Sequence, residues 1–282
     1  MPDSSIQDLV CCMGQPVAGN PTQFMMERAF TAAQLDWRYL TCEVPPENLQ
    51  AAVLGMRAMG FRGGNFTIPH KVAVIQYLDG LSESAELMGA VNCVNRDGER
   101  LIGENTDGKG FVRSLQEITS PAEKRVVIFG AGGAARAIAV ELGLSGVSEI
   151  TIVNRTQTRG QELVNLLSQR VGVKSDYAPW SGDYQVDEKV DLVINATSIG
   201  LGDPDARVPV DADSLHGEMV VADVVFNPPQ TVFLQEAAKQ GCTVLDGLGM
   251  LVNQGVIGFQ IWTGIEPNAT VMREALEEYL EL

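Results

Sequence analysis

The sequence predicts an α/β protein of two domains, and two observations support this prediction. Short apolar runs of strand length alternate with stretches of helix length along most of the chain, which is typical of mostly parallel sheets. Near residue 130, one apolar run passes through a glycine-rich turn directly into Ala-rich sequence that favours helix. With 282 residues, the chain is also long enough for two modest domains.

The composition argues against several classes of partner. The formal net charge is −16, whereas nucleic acids and anionic membranes need clustered Lys and Arg. Five cysteines without a C-x-x-C pair, and two histidines, indicate neither a zinc site nor a disulfide framework. The sequence shows no signal peptide and no apolar stretch of membrane-spanning length. We therefore expect a cytoplasmic protein with reduced thiols, no metal, and no nucleic-acid or membrane partner.

The N-terminal part predicts strands and helices in alternation. In chain order these are a strand at 9–13, a helix at 23–35, a strand at 37–44, a helix at 47–59, a strand at 65–68, a hairpin at 92–103, and a helix through 111–118. Ligands gather at the carboxyl ends of parallel strands, so Thr67 and Lys71 are candidate site residues. Alternatively, Lys71 is an ordinary lysine at a helix start. Asp107 is either a helix N-cap or a carboxylate aimed into a cleft.

The strongest single motif follows the apolar strand at 126–129 and comprises Gly130, Ala131, Gly132, Gly133, Ala134 and Ala135. In a dinucleotide site, Gly130 permits the sharp turn and Gly132 lets the backbone approach a pyrophosphate at the helix N-terminus. Ala135 then lets the helix pack closely on the strand. The motif alone is weak, because similar turns occur where nothing binds.

The next strand, at 149–153, ends in Asn154, Arg155 and Thr156, with Arg159 one helical turn further on. An NAD site normally carries an acidic residue here for the ribose 2′-hydroxyl. Arginines in its place predict a preference for the 2′-phosphate of NADP. The alternative is that both arginines are solvated charges at a helix start.

The rest of the second domain continues the alternation. The predicted elements are strands at 190–195, 219–226 and 243–245, and helices at 231–240, 247–262 and 271–280. Thr197 follows the strand at 190–195, and we expect it beside the cofactor. From the pattern alone, Met250 and Gln254 are packing and surface positions.

Taken together, these stretches resemble the shikimate dehydrogenase family over nearly the whole chain. The matching motifs are Gly14-x-Pro16-Val17, Asn65-x-Thr67-x-Pro69-x-Lys71, Gly89-Ala90-Val91-Asn92, Asn105-Thr106-Asp107-Gly108, the glycine turn, Asn154-Arg155-Thr156, Asn195-Ala196-Thr197 and Gly247-Leu248-Gly249-Met250-x-x-x-Gln254. The resemblance implies a substrate domain at 1–106 completed by 247–282, an NADP-binding Rossmann domain at 107–246, and a cleft between them. It implies interconversion of shikimate and 3-dehydroshikimate with NADP in aromatic amino acid biosynthesis.

The resemblance also implies roles for individual residues. Lys71 would relay the proton of the reacting hydroxyl, and Asp107 would hold the lysine and that hydroxyl in line with the nicotinamide. Ring hydroxyls would be bound by Asn92, Thr67 and Gln254. Met250 would border the nicotinamide.

Two departures from the family pattern concern the substrate. Two serines usually bind the substrate carboxylate, and Asn20 and Thr22 stand in their places. A tyrosine that usually touches the substrate is Phe226 here. A site that loses donors loses affinity for a substrate with acceptors there. Alternatives are therefore a paralogue acting on quinate or another cyclic hydroxy acid, and a non-catalytic NADP-binding protein; either a monomer or a homodimer is compatible with the sequence.

Overall fold

The computed structural model describes residues 6–282, and within them the chain alternates strands and helices. The strands are β1 Asp8–Gly14, β2 Trp37–Glu43, β3 Gly63–Phe66, β4 Gly80–Leu81, β5 Cys93–Asp97, β6 Arg100–Glu104, β7 Arg125–Phe129, β8 Glu149–Asn154, β9 Lys174–Pro179, β10 Leu192–Asn195, β11 Val220–Asp223 and β12 Thr243–Leu245. The helices are α1 Thr22–Ala32, α2 Leu49–Ala58, α3 His70–Ala73, α4 Glu83–Met88, α5 Thr106–Gln116, α6 Gly133–Leu144, α7 Gln157–Leu166, α8 Val232–Lys239, α9 Gly247–Thr263 and α10 Ala269–Leu280.

The chain divides into two compact units. The first comprises the described residues up to Thr106 together with Gln254–Leu282, and the second comprises Asp107–Asn253. The helix α9 therefore contributes its first residues to the second unit and the remainder to the first.

The first unit contains a mixed sheet with the strand order β2-β1-β3-β5-β6-β4. The strand β1 pairs in parallel with β2 and β3, whereas β5 pairs antiparallel with β3 and β6. The turn between β5 and β6 contains Gly98 with φ +59°, as the dipeptide Asp97-Gly98 predicts. The residues from Val10 to Met13 in β1 are buried, as expected for a central strand with both faces covered.

Helices bury both faces of this sheet. On one face, Val53 and Met56 of α2 pack in the same core cluster as Cys11 and Phe66. In the same unit, the rings of Phe30 in α1 and Phe259 in α9 lie 5.2 Å apart. The indole Nε1 of Trp262 donates to the Val94 carbonyl at 2.9 Å, which joins α9 to β5.

The second unit is built on a fully parallel sheet with the strand order β12-β11-β10-β7-β8-β9. The order is that of the dinucleotide-binding Rossmann fold, because the chain winds outward from β7 in both directions. The carboxyl ends of β7 and β10 are adjacent at the point where the winding reverses, and ligands bind there in such sheets. Phe129 packs against Trp180 and Phe233 in the core below this edge.

The observed elements differ from the predicted ones at several boundaries, and α3, β4 and α4 have no predicted counterpart. The strand β3 ends at Phe66, two residues before the predicted end, because its pairing with β1 stops where Met13 meets Phe66. The residues 46–48 form a 3-10 turn, so that α2 begins only at Leu49. The edge strand β9 is missing from the prediction, since its partly exposed residues form no apolar run. Within the described residues, no helix has both the length and the apolarity to span a membrane.

Candidate active site

The glycine turn after β7 has the geometry that a dinucleotide requires. Gly130 has φ +110°, and a Cβ at this position would lie 2.9 Å from the carbonyl oxygen of Ala196. The backbone N–H of Gly130 donates to Val153 at 2.9 Å, and that of Ala196 donates to Phe129 at 2.9 Å. The turn is therefore wedged between the ends of β8 and β10. A side chain at residue 130 would be both strained and crowded.

The residues after the turn leave room for an anion. A Cβ on Gly132 or Gly133 would meet no atom within 4 Å, so the backbone of this segment is open to close approach. The helix α6 begins at Gly133, and its first N–H groups lack intrahelical partners. Ala131 and Ala134 are partly buried beside this opening, and Ala135 is fully buried against the sheet. The segment therefore fits a pyrophosphate.

The predicted 2′-phosphate site lies at the end of β8. Arg155, Thr156 and Arg159 are exposed, and Thr156 immediately precedes α7. Asn154 Nδ2 donates to the Thr156 carbonyl at 2.9 Å and thereby shapes the turn. Two guanidinium groups beside a helix N-terminus suit a dianionic phosphate.

A small pocket adjoins Arg155. It has a volume of about 100 Å³ and is lined by Arg155, Trp180, Gly182, Ile199 and Pro209. The indole Nε1 of Trp180 is held by the Pro209 carbonyl at 2.8 Å, which fixes the ring as one wall. An apolar wall beside a guanidinium plane can accept the flat face of an aromatic base.

The loop after β10 is held by a hydrogen-bonded turn. Asn195 Oδ1 accepts from Thr197 Oγ1 at 2.7 Å, and Thr197 Oγ1 accepts from the N–H of Ile199 at 3.1 Å. Both bonds fix the Thr197 side chain at the edge where β7 and β10 meet. The predicted cofactor contact at Thr197 therefore lies on the same sheet edge as Gly130.

A buried carboxylate links this loop to the next one. Asp223, at the end of β11, is 1% exposed and accepts from Asn195 Nδ2 at 2.9 Å, the Val225 N–H at 3.0 Å and Thr231 Oγ1 at 2.8 Å. Burial raises the pKa of Asp223 to about 6, and the three hydrogen bonds oppose that rise. Phe226 follows in this loop and is partly buried.

Asp107 and Met250 occupy the first turns of α5 and α9 in the second unit, and both are partly buried. These helices pack closely because they carry glycines at the contacts. A Cβ on Gly108 would overlap the Ala137 carbonyl of α6, and one on Gly249 would overlap Ser114 Oγ of α5. Asp107 therefore lies on α5, which packs against α6, the helix that begins at the dinucleotide turn.

In the first unit, Thr67 and Lys71 lie just after the end of β3. The Thr67 N–H donates to the Met13 carbonyl at 2.9 Å, and the Lys71 carbonyl accepts from the Val91 N–H at 2.7 Å. The charge of Lys71 lowers the pKa of Cys12, although burial dominates and raises the pKa of that thiol to about 11. Lys71 therefore lies within electrostatic reach of the carboxyl end of β1.

Asn20 and Thr22 stand where α1 begins. Asn20 Oδ1 accepts from the Thr22 N–H at 2.9 Å, and Asn20 Nδ2 donates to Cys12 Sγ at 3.7 Å. Thr22 is 6% exposed. The side-chain oxygen of Asn20 is therefore hydrogen-bonded within the turn into α1, and Thr22 is largely buried.

A pocket of about 370 Å³ opens beside Asn20 and is lined by Gly19, Asn20, Gln23, Phe24, Glu27, Thr41 and Tyr279. Among these described residues the charged member is Glu27, whose Oε1 accepts from the N–H of Tyr39 at 2.6 Å. Because Glu27 is the charged residue of this mostly apolar lining, the pocket's described residues offer a substrate carboxylate no cationic partner.

Asn92 and Gln254 meet through Thr106. Asn92 Oδ1 accepts from the Thr106 N–H at 2.7 Å, and Asn92 Nδ2 donates to Thr106 Oγ1 at 3.0 Å. Thr106 Oγ1 donates to Gln254 Oε1 at 3.5 Å. All three residues are at most 7% exposed. The family resemblance implied Asn92 and Gln254 as substrate contacts, whereas Thr106 appeared only as a member of the motif Asn105-Thr106-Asp107-Gly108.

The structure thus groups the predicted residues within each unit. The first unit carries Lys71, Thr67, Asn92 and Gln254, and the second carries the dinucleotide turn, the arginines and Thr197. In the described part of the chain, no group of three or more His, Cys, Asp or Glu side chains is placed to bind a metal. The role of each residue stays a prediction.

Known proteins match this chain along its length. Family profiles described as shikimate dehydrogenase substrate binding domain, shikimate/quinate 5-dehydrogenase and shikimate 5′-dehydrogenase C-terminal domain match residues 12–94, 113–200 and 247–277. The shikimate dehydrogenase (NADP(+)) of Methanopyrus kandleri is 43% identical over 97% of this chain and 96% of its own. Fold and site define a two-unit α/β protein with a Rossmann dinucleotide-binding unit. More particularly, the chain belongs to the shikimate dehydrogenase family.

Two solved structures resemble the chain over nearly its full length. The ligand-free 5-ketofructose reductase of Gluconobacter sp. strain CHM43 is 52% identical with a TM-score of 0.96, covering 98% of this chain and 99% of that one. The shikimate 5-dehydrogenase of Thermus thermophilus, in complex with NADP(H) and shikimate, is 34% identical with a TM-score of 0.86, covering 97% and 100%. Proteins that resemble this chain over nearly their full length are therefore named for different substrates.

Proposed function

We propose that this protein is an NADP-dependent dehydrogenase that interconverts shikimate and 3-dehydroshikimate by hydride transfer. One observation carries the proposal: a dinucleotide turn with two exposed arginines after β8 and the buried Asn92–Thr106–Gln254 cluster occur in one chain of this family. Such a chain has both a place for NADP and a rigid set of polar groups for a polyhydroxylated ring. The relatives named as shikimate dehydrogenases support the same reaction.

The residues of the chain divide the work of the reaction. NADP, when bound, would supply the hydride acceptor for the carbon that carries the reacting hydroxyl. The proton of that hydroxyl passes to Nζ of Lys71, and Asp107 is the carboxylate proposed to orient the reacting hydroxyl. In the reverse direction Lys71 returns the proton to the new alkoxide oxygen. The second unit supplies the cofactor site through Gly130, Arg155 and Arg159, and the first unit supplies the substrate site.

The test is an initial-rate comparison. We expect shikimate to be oxidised with NADP at a kcat/KM well above that for quinate, and NADP to be preferred to NAD because of Arg155 and Arg159. Efficient turnover of quinate with weak turnover of shikimate would contradict the substrate assignment. Binding of NADP without turnover of any cyclic polyol acid would favour the non-catalytic alternative.

A second function, the reduction of a neutral polyhydroxylated ketone such as 5-ketofructose, is favoured by the residues around Asn20. Family members that bind the shikimate carboxylate usually use two serines there, and this chain has Asn20, whose Nδ2 donates to Cys12 Sγ at 3.7 Å, and the enclosed Thr22. Phe226 also removes a hydroxyl from the substrate side. A ketose has no carboxylate and needs none of these anchors. The reductase at 52% identity acts on such a compound by its name.

The two functions are separated by the wild-type rates with 3-dehydroshikimate and 5-ketofructose, and one double variant tests the part that Asn20 and Thr22 play in that preference. If shikimate is the substrate, Asn20→Ser/Thr22→Ser should improve or preserve its kcat/KM, since the carboxylate donors are restored. If 5-ketofructose is the substrate, the wild-type protein should oxidise NADPH with 5-ketofructose far faster than with 3-dehydroshikimate, and the double variant should narrow that ratio. The matched control is Thr31→Ser, a change on the solvent side of α1, and its ratio should equal that of the wild type.

We also propose a cytoplasmic location. All five cysteines are free thiols and four of them are buried, an arrangement suited to a reducing compartment. We propose in addition that the protein is a monomer or a homodimer and acts on a small-molecule substrate.

A further inference from the structure

The hydrogen bonds around Thr106 have a direction that the backbone determines. The N–H of Thr106 can only donate, so the atom of Asn92 that faces it at 2.7 Å is the carbonyl oxygen. The other end of the same amide, Asn92 Nδ2, is then the donor to Thr106 Oγ1 at 3.0 Å. A buried main-chain N–H thus sets the orientation of the Asn92 amide.

The direction continues to Gln254. Thr106 Oγ1 accepts from Asn92 Nδ2, and Asn92 Oδ1, although 3.3 Å from Oγ1, already accepts from the Thr106 N–H at 2.7 Å. We therefore assign the hydroxyl hydrogen to a second acceptor outside Asn92. That acceptor is Gln254 Oε1 at 3.5 Å, in a helix that is 148 residues away along the chain. With its oxygen held by Thr106, Gln254 turns its Nε2 end away from Thr106. The relay runs from backbone N–H to Asn92, to the Thr106 hydroxyl, and to the amide of Gln254.

We propose that Thr106 is a positioning residue for the substrate, because its hydroxyl makes Gln254 a hydrogen-bond donor toward the ligand. The substrate oxygen that meets Gln254 must then be an acceptor, such as a hydroxyl lone pair or a carbonyl. This inference rests on the proposed function for the identity of the ligand, but the relay itself is a property of the first unit. Thr106 is fully buried, which keeps water from competing for the hydroxyl.

The kinetic test uses variants that keep side-chain shape. Thr106→Val removes the hydroxyl and keeps the branched volume, and Thr106→Ser keeps the hydroxyl. The KM is that of shikimate or 5-ketofructose, whichever the wild type turns over. We expect Thr106→Val to raise this KM about fivefold to tenfold, as the loss of one neutral hydrogen bond predicts, and to change kcat much less. Thr106→Ser should restore the wild-type KM, and the Kd for NADP should be the same in all variants. A valine variant with wild-type KM, or a serine variant as impaired as the valine one, would overturn the proposal.

Combination with Gln254 separates positioning from general loss of structure. Gln254→Met should raise KM, and Thr106→Val/Gln254→Met should raise it no further, because both changes act through one contact. Additive effects on KM would show that Thr106 acts independently of Gln254. Gln254→Glu can accept from Thr106 but cannot donate, so it should bind a neutral ketose as poorly as Gln254→Met. If Gln254→Glu has the wild-type KM, residue 254 does not need to donate a hydrogen bond to the substrate, and the inference is overturned.

The relay can also be tested without a substrate. In urea unfolding, Thr106→Val and Gln254→Met should each lower the midpoint, and the double variant should lower it by less than the two together. Additive midpoints would exclude the Thr106–Gln254 bond. If the midpoints are non-additive but neither shikimate nor 5-ketofructose is turned over by the wild type, the proposed function fails while the relay stands.

Discussion

Asp223 offers a perturbation whose size and sign follow from the structure. The carboxylate is fully buried among Asn195, Val225 and Thr231, and burial raises its pKa from 3.8 to about 6. Asp223→Asn keeps an oxygen for the Asn195 and Val225 donors and places an amide beside Thr231 Oγ1, which can accept. The variant therefore keeps the network and removes the titrating group.

The expected magnitude comes from proton linkage. A pKa raised by about two units, at about 1.4 kcal/mol per unit, means that ionising Asp223 costs the folded state about 3 kcal/mol. Because the folded state holds this proton more tightly than the unfolded chain, the stabilisation is complete below pH 3.8 and is lost as the pH rises through about 6. About half of the change, roughly 1.4 kcal/mol, falls between pH 5 and pH 8.

The assay is urea unfolding of both proteins at a series of pH values between 5 and 8. The difference between their free energies of unfolding cancels every other titrating group. It should shift by roughly 1.4 kcal/mol in favour of Asp223→Asn as the pH rises. Asp79→Asn is the control, since the pKa of Asp79 is lowered by the Leu101 N–H and Arg57, and its difference should be flat over this range. A flat difference for Asp223→Asn, or a shift in favour of the wild type, would refute the reasoning.

Three further predictions concern the proposed site. Lys71→Met should abolish turnover and leave the Kd for NADP unchanged in fluorescence titration, whereas near-normal kcat would exclude the lysine as the proton relay. Arg159→Ala should weaken NADP at least tenfold more than NAD, as expected for a charge-assisted phosphate contact of about 1.5–3 kcal/mol, and equal weakening of both would contradict the phosphate contact. Gly130→Ala should lower the free energy of unfolding by about 2–4 kcal/mol, because its φ is +110° and the Cβ would meet Ala196. Gly133→Ala, which meets no atom within 4 Å, should cost less than about 1 kcal/mol; similar losses for both glycines would show that crowding at Gly130 is relieved.

Much of the second unit is predictable from sequence because its signals are local. The apolar strand, the glycine turn and the Ala-rich helix occupy one short stretch, and each residue type has its own conformational reason to be there. The strand at 149–153 and the arginines after it follow at the spacing that a βαβ unit needs. Parallel strands joined by right-handed crossovers are the expected arrangement of such units.

Elements whose limits depend on pairing were predicted less completely. The turn and helix after β3 and the hairpin β5–β6 carry local signals, so the positions of Lys71 and Asn92 could be anticipated. The exposed edge strand β9 of the second unit lacks the apolar run that marks a strand, and β3 of the first unit is ended by its pairing with β1. Pairing is a property of two distant segments and leaves little trace in either one.

The sequence by itself determined the α/β class, the dinucleotide turn, the family and the residue types available for chemistry, because these depend on local patterns. Only the tertiary structure decided that the side-chain oxygen of Asn20 accepts a hydrogen bond at the start of α1, and that Asp223 is buried among three donors. It alone also placed the Thr106 hydroxyl between Asn92 and Gln254. The physical reason is that the direction and partner of a buried hydrogen bond depend on groups far apart in the chain, which meet only when the fold is complete.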